Sequence, residues 1–143
     1  MEKDFFEGPL LVDYSKTIEE AVAAGHYRRV ESSINSENFP IDPKKIGKKE
    51  KLIFKLFKGN VEKIAADMEK EAFYPGGIME LAAFGFQYRR LQRRYSIAAL
   101  DSSVIGQGVP CLRTRGSDRE MALVSFENKK PTWEIFVFLG IQN

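Results

Sequence analysis

The chain has one cysteine, one histidine and one tryptophan among 143 residues. A lone Cys111 can form no internal disulfide, which fits a reducing compartment. Cys111 and His26 cannot close a zinc site, and there is no C-x-x-C and no H-E-x-x-H. A Ser-His-Asp triad would have to use His26, and no G-x-S-x-G elbow surrounds Ser102 or Ser103. Phosphate-cradling loops of the G-x-x-x-x-G-K-[ST] or G-x-G-x-x-G type are missing, and Gly106-Gln107-Gly108 reads as a hairpin turn. No run approaches the ~18 apolar residues of a membrane span. Met1-Glu2-Lys3-Asp4 opens with mixed charge and no apolar stretch follows, so the expected location is the cytoplasm, without a secretory signal. A net charge of +2 exerts no strong pull on nucleic acid or membrane. No cofactor and no metal is expected.

What is present is ordinary globular material. Hydrophobic residues make up 43% and charged residues 29%, which excludes intrinsic disorder. The length suits a single domain over residues 1–143, able to bury about two-thirds of its unfolded surface without disulfide or metal. Gly8-Pro9-Leu10-Leu11-Val12-Asp13-Tyr14 reads as a short strand. Thr17-Ile18-Glu19-Glu20 has the spacing of a capping box, opening a helix that stops at Gly25, a natural left-handed C-terminal residue. Residues 27–34 read as a strand and residues 35–50 as a loop rich in Asn, Pro and Gly. In Lys51-Leu52-Ile53-Phe54-Lys55-Leu56-Phe57-Lys58 both faces carry apolar residues, the mark of a central strand. Its lysines and Glu50 are expected to point outward.

Asn60 is a natural N-cap for a helix whose apolar stripe is Val61, Ile64, Ala65, Met68 and Ala72. A second, more buried helix should run from Gly77 to about Arg93. Strand-like segments then follow at residues 95–100, 108–114, 120–126 and 133–141. Helical periodicity early and strand periodicity late give an α+β fold, with about three helices on one mainly antiparallel sheet and strands concentrated in the C-terminal third. The expected core includes Leu11, Val22, Ile53, Leu56, Ile64, Met68, Leu81, Phe84, Ile97, Leu100, Phe136 and Phe138.

Positive charge is unevenly placed. Residues 44–58 hold seven lysines against Glu50, and Lys44, Lys45, Lys48 and Lys49 open that segment. Arg89, Arg90, Arg93 and Arg94 cluster at the expected end of the long helix, where cations complement the macrodipole. If the two segments shared a face they would attract phosphate, so nucleic-acid binding is one alternative function. The favoured expectation is a non-catalytic binding or protein-interaction module for an unknown protein or small ligand, without a membrane partner. A third possibility is an enzyme of a class without a local motif. Candidate binding residues are His26, Asp101, Ser102, Arg113, Arg115 and Trp133. A pocket gathering His26, Asp101, Ser102 or Arg113 would favour small-molecule chemistry. Exposed Phe5, Phe6 or Trp133 would favour a protein partner. Asp42-x-Lys44 and Glu127-x-Lys129 match a short nuclease spacing, but Pro43 breaks the strand that the first would need.

Two resemblances cover much of the chain. Residues 68–85, Met-Glu-Lys-Glu-Ala-Phe-Tyr-Pro-Gly-Gly-Ile-Met-Glu-Leu-Ala-Ala-Phe-Gly, and residues 91–102, Leu-Gln-Arg-Arg-Tyr-Ser-Ile-Ala-Ala-Leu-Asp-Ser, resemble an uncharacterised family of small bacterial proteins. The opening Val12-Asp13-Tyr14-Ser15-Lys16-Thr17-Ile18-Glu19-Glu20 and the closing Trp133-Glu134-Ile135-Phe136-Val137-Phe138-Leu139-Gly140 are similar to that family too. It carries no known function. Gly76-Gly77 stands where the family pairs a small residue with threonine, which puts the family's helix cap in question here. Pro75, Glu80, Leu81, Phe84 and residues 136–139 also look like the helix and terminal strand of the C-type-lectin-like fold of phage and formylglycine-enzyme relatives.

Overall fold

Thr17 begins the first helix as its spacing requires. Its hydroxyl accepts from the Glu20 amide at 3.1 Å, and the Glu20 carboxylate accepts from the Thr17 amide at 2.9 Å. In the computed structural model, which describes residues 7–102, 108–125 and 136–143, that helix is the second element of the fold. The order is β1 (Glu7–Asp13), α1 (Ile18–Ala23), β2 (Arg29–Val30), β3 (Lys49–Phe57), α2 (Val61–Lys70), β4 (Tyr74–Pro75) and α3 (Ile78–Gln87). A 3-10 turn at Arg89–Arg93, β5 (Ser96–Ala98), a second 3-10 turn at Leu100–Ser102, β6 (Val109–Arg115), β7 (Asp118–Val124) and β8 (Phe136–Gln142) complete it. All eight strands join one sheet in the order β1-β3-β8-β5-β6-β7-β2, with β4 paired to β8. The pairing is antiparallel except for β5 with β8 and β2 with β7. The fold is α+β.

Several local expectations need correction. The left-handed residue after α1 is His26, at φ 52°, not Gly25. Gly25 is needed for space, because a Cβ there would lie 2.4 Å from the Tyr27 ring. Only Arg29–Val30 of residues 27–34 is strand, since the Ile34 amide turns back onto the Glu31 carbonyl at 3.0 Å. Asn60 does cap α2, accepting from the Glu62 amide at 2.9 Å, but the helix ends at Lys70 and Ala72 turns left-handed at φ 64°. Ile64 and Met68 carry its buried stripe, while Ala65 is exposed.

Helix α3 stops at Gln87, six residues before its expected end, because Gln87 and Tyr88 are committed to the sheet edge. The Gln87 side-chain amide donates to the Leu11 carbonyl at 2.7 Å and accepts from the Leu11 amide at 3.1 Å. It does for β1 what the next strand's peptide would do. The Tyr88 hydroxyl donates to the Pro9 carbonyl, and Pro9 has no N–H to leave unpaired. The open edge of β1 is thereby blocked against pairing with another chain.

Strand parity decides the core. Leu10, Val12, Leu52, Phe54 and Leu56 face α1 and α3, joined there by Val22, Leu81, Phe84 and Ile97. On the opposite face Ile64 and Met68 of α2 cover Phe57, Ala98, Val109 and Phe138. Helix α2 reaches only that end of the face. Leu11 and Ile53, expected inside, are therefore 60% and 40% exposed. Leu100 and Phe136 are only partly buried against the second core. Glu50 shares its parity with Leu52 and lies half-buried on the inner side, not outward.

Candidate functional site

Where the end of β1 meets the start of α3, a cavity of about 280 Å³ opens beneath residues 39–45. Tyr14 follows β1 and is 2% exposed. Its hydroxyl donates to Glu80 Oε2 at 2.5 Å. Glu80 is the third residue of α3, and its Oε1 accepts from the Gly77 amide at 2.6 Å. Both oxygens of this buried carboxylate are thus committed, one to the helix cap and one to the tyrosine. Gly76 anchors the rear. Its amide donates to the Leu139 carbonyl at 2.8 Å, and its carbonyl accepts from the Asp101 amide at 3.1 Å. That second bond brings Asp101 to the cavity wall.

Phe39, Pro40, Ile78 and Met79 supply apolar surface, and Asp42 and Lys45 form the rim. The Lys45 ammonium lies 5.4 Å from the centroid of the Tyr14 ring and 5.7 Å from that of Tyr74, within reach of both π faces. Asp42, Glu80 and Asp101 line the cavity against this one cation. The field is negative. Burial first, then the charge and hydrogen bond of Glu80 and the charge of Glu50, hold Tyr14 far above the ordinary tyrosine range. Tyr74 is raised by burial, then by Glu80, Glu50 and Asp101.

These shifts set an alkaline limit. Tyr27, raised by burial to about 12, and Tyr88, raised by burial, behave alike. A tyrosine whose folded pKa lies above its unfolded value near 10 binds its proton more tightly when folded. The stability it contributes is whole below about pH 10 and is lost as pH rises through the folded value. Absorbance at 295 nm should show these four of the five tyrosines ionising at higher pH than free tyrosine, Tyr14 and Tyr27 last. Four tyrosines ionising in a still-folded chain near pH 10 would contradict the geometry.

The expected site residues are dispersed. Asp101 is in the cavity, exposed at its wall. Ser102 closes the second 3-10 turn, but its side chain and all of Trp133, Phe5 and Phe6 lie outside the described residues. His26 is exposed beyond α1, away from the cavity lining. Arg113 Nε sits 2.7 Å from Glu120 Oε1 and Arg115 Nε sits 3.6 Å from it. Both are countercharges to that buried carboxylate and take no part in the cavity. Cys111 is buried, as a small apolar residue would be. Tyr14, Tyr74 and Glu80 are not among the expected site residues, and Lys45, expected as part of a phosphate-attracting segment, lies on the cavity rim instead. The signal for Glu80 was readable: a lone charge in Ile78-Met79-Glu80-Leu81-Ala82, three residues after the N-cap.

The two basic segments start at opposite ends of β1. The Lys48 carbonyl accepts from the Tyr14 amide at 2.8 Å, whereas Tyr88, next to Arg89, bonds to Pro9. Five residue-to-residue steps along β1 separate those anchors, about 17 Å. Lys44, Lys48 and Lys49 are exposed at one end, and Arg89, Arg90, Arg93 and Arg94 at the other. Only the far end of the lysine segment, where Lys58 lies 5.1 Å from the Tyr95 ring centroid, approaches the arginines. The arginines do not serve the α3 macrodipole as expected, since the helix ends before them with no basic residue in its last turn.

The chain matches no family model, no curated protein and no solved structure. Among the described residues no group of three His, Cys, Asp or Glu side chains is placed to hold a metal ion, and no helix is long and apolar enough to cross a membrane.

Proposed function

We propose that the protein is a non-catalytic binding module whose small-molecule ligand occupies the cavity between residues 39–45 and the start of α3. The observation that carries this reading is the buried Tyr14–Glu80 pair, a polar wall already held in place before any ligand arrives. Fixed polar groups beside apolar surface are what a small-ligand site needs. Glu80 is fully engaged as an acceptor, so it orients rather than reacts. The carboxylates and the two tyrosine faces favour a compact ligand with an apolar body and a cationic or hydrogen-bond-donating group. Lys45 lies where such a group would lie, so a cationic ligand has to displace it from the two rings. The buried thiol of Cys111 suits a reducing compartment and supports a cytoplasmic location. The segments at residues 68–85 and 91–102 support membership of the uncharacterised bacterial family.

A fragment set of small amines, carboxylic acids and neutral compounds, followed by NMR shift mapping, tests the reading. Amine fragments are expected to shift Tyr14, Tyr74 and Ile78. Tyr74→Leu should weaken them about tenfold, the loss of one good cation–π contact. Acids or neutral compounds binding in place of amines would keep the module and change its ligand class. Absence of binding by all three classes at millimolar concentration would remove the site.

A further inference from the structure

A second surface, at the far end of β1 from the cavity, has properties that the fold does not require. Phe86 is 51% exposed although seven of the ten residues of its helix are buried. It lines a groove of about 480 Å³ with Tyr88, Arg89, Arg90 and Arg94. The Arg89 guanidinium lies 5.9 Å from the centroid of the Phe86 ring. Arg89, Arg90, Arg93 and Arg94 are all exposed, and none forms an ion pair with a described carboxylate. Arg90 and Arg93 fall at the end of the Arg89–Arg93 3-10 turn, but no described carboxylate pairs with any of these four guanidinium groups, which stand within six residues beside an exposed aromatic ring. A half-exposed aromatic ring flanked by guanidinium groups that no described carboxylate pairs with meets the two needs of an unpaired nucleotide: a surface for the base to stack on and forks for the phosphates.

We propose that the Phe86–Arg94 groove binds single-stranded polynucleotide, one base stacking on Phe86 and adjacent phosphates meeting Arg90 and Arg94. A duplex is disfavoured because its base faces are already stacked on each other, leaving nothing for the Phe86 ring. An acidic peptide would satisfy the arginines but would bring no flat ring at each charge. Lys44, Lys48 and Lys49 stand apart at the other end of β1 and take no part. The proposal is independent of the cavity ligand.

The test is fluorescence anisotropy with labelled twelve-nucleotide oligo-dT and oligo-U at low salt. Dissociation constants of about 10 μM are expected, weakening steeply as salt rises. Phe86→Ala should weaken binding at least about fivefold and Phe86→Tyr should restore it, the signature of stacking. The Arg90→Ala, Arg94→Ala double variant should weaken binding and flatten the salt dependence, while Lys48→Ala should leave both unchanged. All these side chains are exposed, and matching thermal melts would confirm that each variant is folded. The proposal is overturned if neither oligonucleotide binds below 1 mM, or if Phe86→Ala binds as well as the parent. Equal or tighter binding of a twelve-base-pair duplex, of poly-glutamate or of anionic phosphatidylserine vesicles would overturn it as well.

Discussion

Phe84→Ala should destabilise the protein by about 3–5 kcal/mol, the usual cost of removing a fully buried phenylalanine. The ring is 0% exposed and sits where α3 crosses the inner face of β3. Its centroid is 5.0 Å from that of Phe54 in an edge-to-face pair and 5.4 Å from that of Tyr88 in a stacked one. Phe54 and Tyr88 also meet edge to face at 4.6 Å, so the three rings form one unit and truncating Phe84 leaves a hole that two rigid rings cannot fill. For a chain of this length a melting temperature lower by about 10–15 °C is expected. Phe86→Ala is the matched control, two residues away and half exposed, and should cost less than about 1 kcal/mol. Similar losses from both substitutions would show that α3 is rotated from the orientation described here.

That contrast also shows how far the sequence could be read. Helix α3 was legible as a buried helix because Ile78, Leu81, Ala82 and Gly85 recur at helical spacing, and Phe84 was identified as core. Its end was not, because the stop comes from Gln87 and Tyr88 bonding to β1, partners more than seventy residues away. No local pattern encodes such a contact. Leu10-Leu11-Val12 and Leu52-Ile53-Phe54 are apolar on both parities, so alternation alone could not say which residues face in. That depends on α2 covering one end of the second face and not the other. The capping box at Thr17 and the N-cap at Asn60 are legible because their partners lie within three residues.

The cavity divides in the same way. Asp101 is among the sequence candidates, whereas Glu80 is not, although a lone charge in an apolar helix is a local signal. Tyr14 and Lys45 become site residues only when β1, the loop at residues 39–45 and α3 converge, and the Tyr14–Glu80 bond spans 66 positions. Arg113 and Arg115 were chosen for their charge. The structure spends that charge on Glu120, whose burial could not be seen from a strand that alternates only loosely.

Arg119→Met should be nearly as damaging as Phe84→Ala, costing about 3 kcal/mol or more, although Arg119 looks like an ordinary hairpin arginine in the sequence. It lies on β7 and its guanidinium reaches three acceptors at once. Nη1 donates to the Gly25 carbonyl and Nη2 to the Gly85 carbonyl, each at 2.6 Å, and Nε donates to Gln92 Oε1 at 3.1 Å. The same group lies 4.7 Å from the centroid of the Tyr27 ring, which packs so closely on α3 that a Cβ at Gly85 would meet the Tyr27 hydroxyl. One side chain therefore ties the end of α1, the last turns of α3 and the Arg89–Arg93 turn to the sheet. Gln92 extends the tie, its amide donating to the Arg113 carbonyl at 2.7 Å and its carbonyl accepting from the Thr114 hydroxyl at 2.9 Å. Methionine keeps the aliphatic stem but leaves two carbonyls and the Gln92 amide oxygen without their donor, at about 1–3 kcal/mol for each group that stays buried. Arg119→Lys should not rescue, because a single ammonium cannot span acceptors arranged for a planar fork. Urea unfolding should show a lower midpoint with an unchanged slope for both variants. Combining Arg119→Met with Gln92→Ala should cost clearly less than the two losses added, since both break one network. A lysine variant as stable as the parent, or strict additivity with Gln92→Ala, would reduce Arg119 to a surface cation.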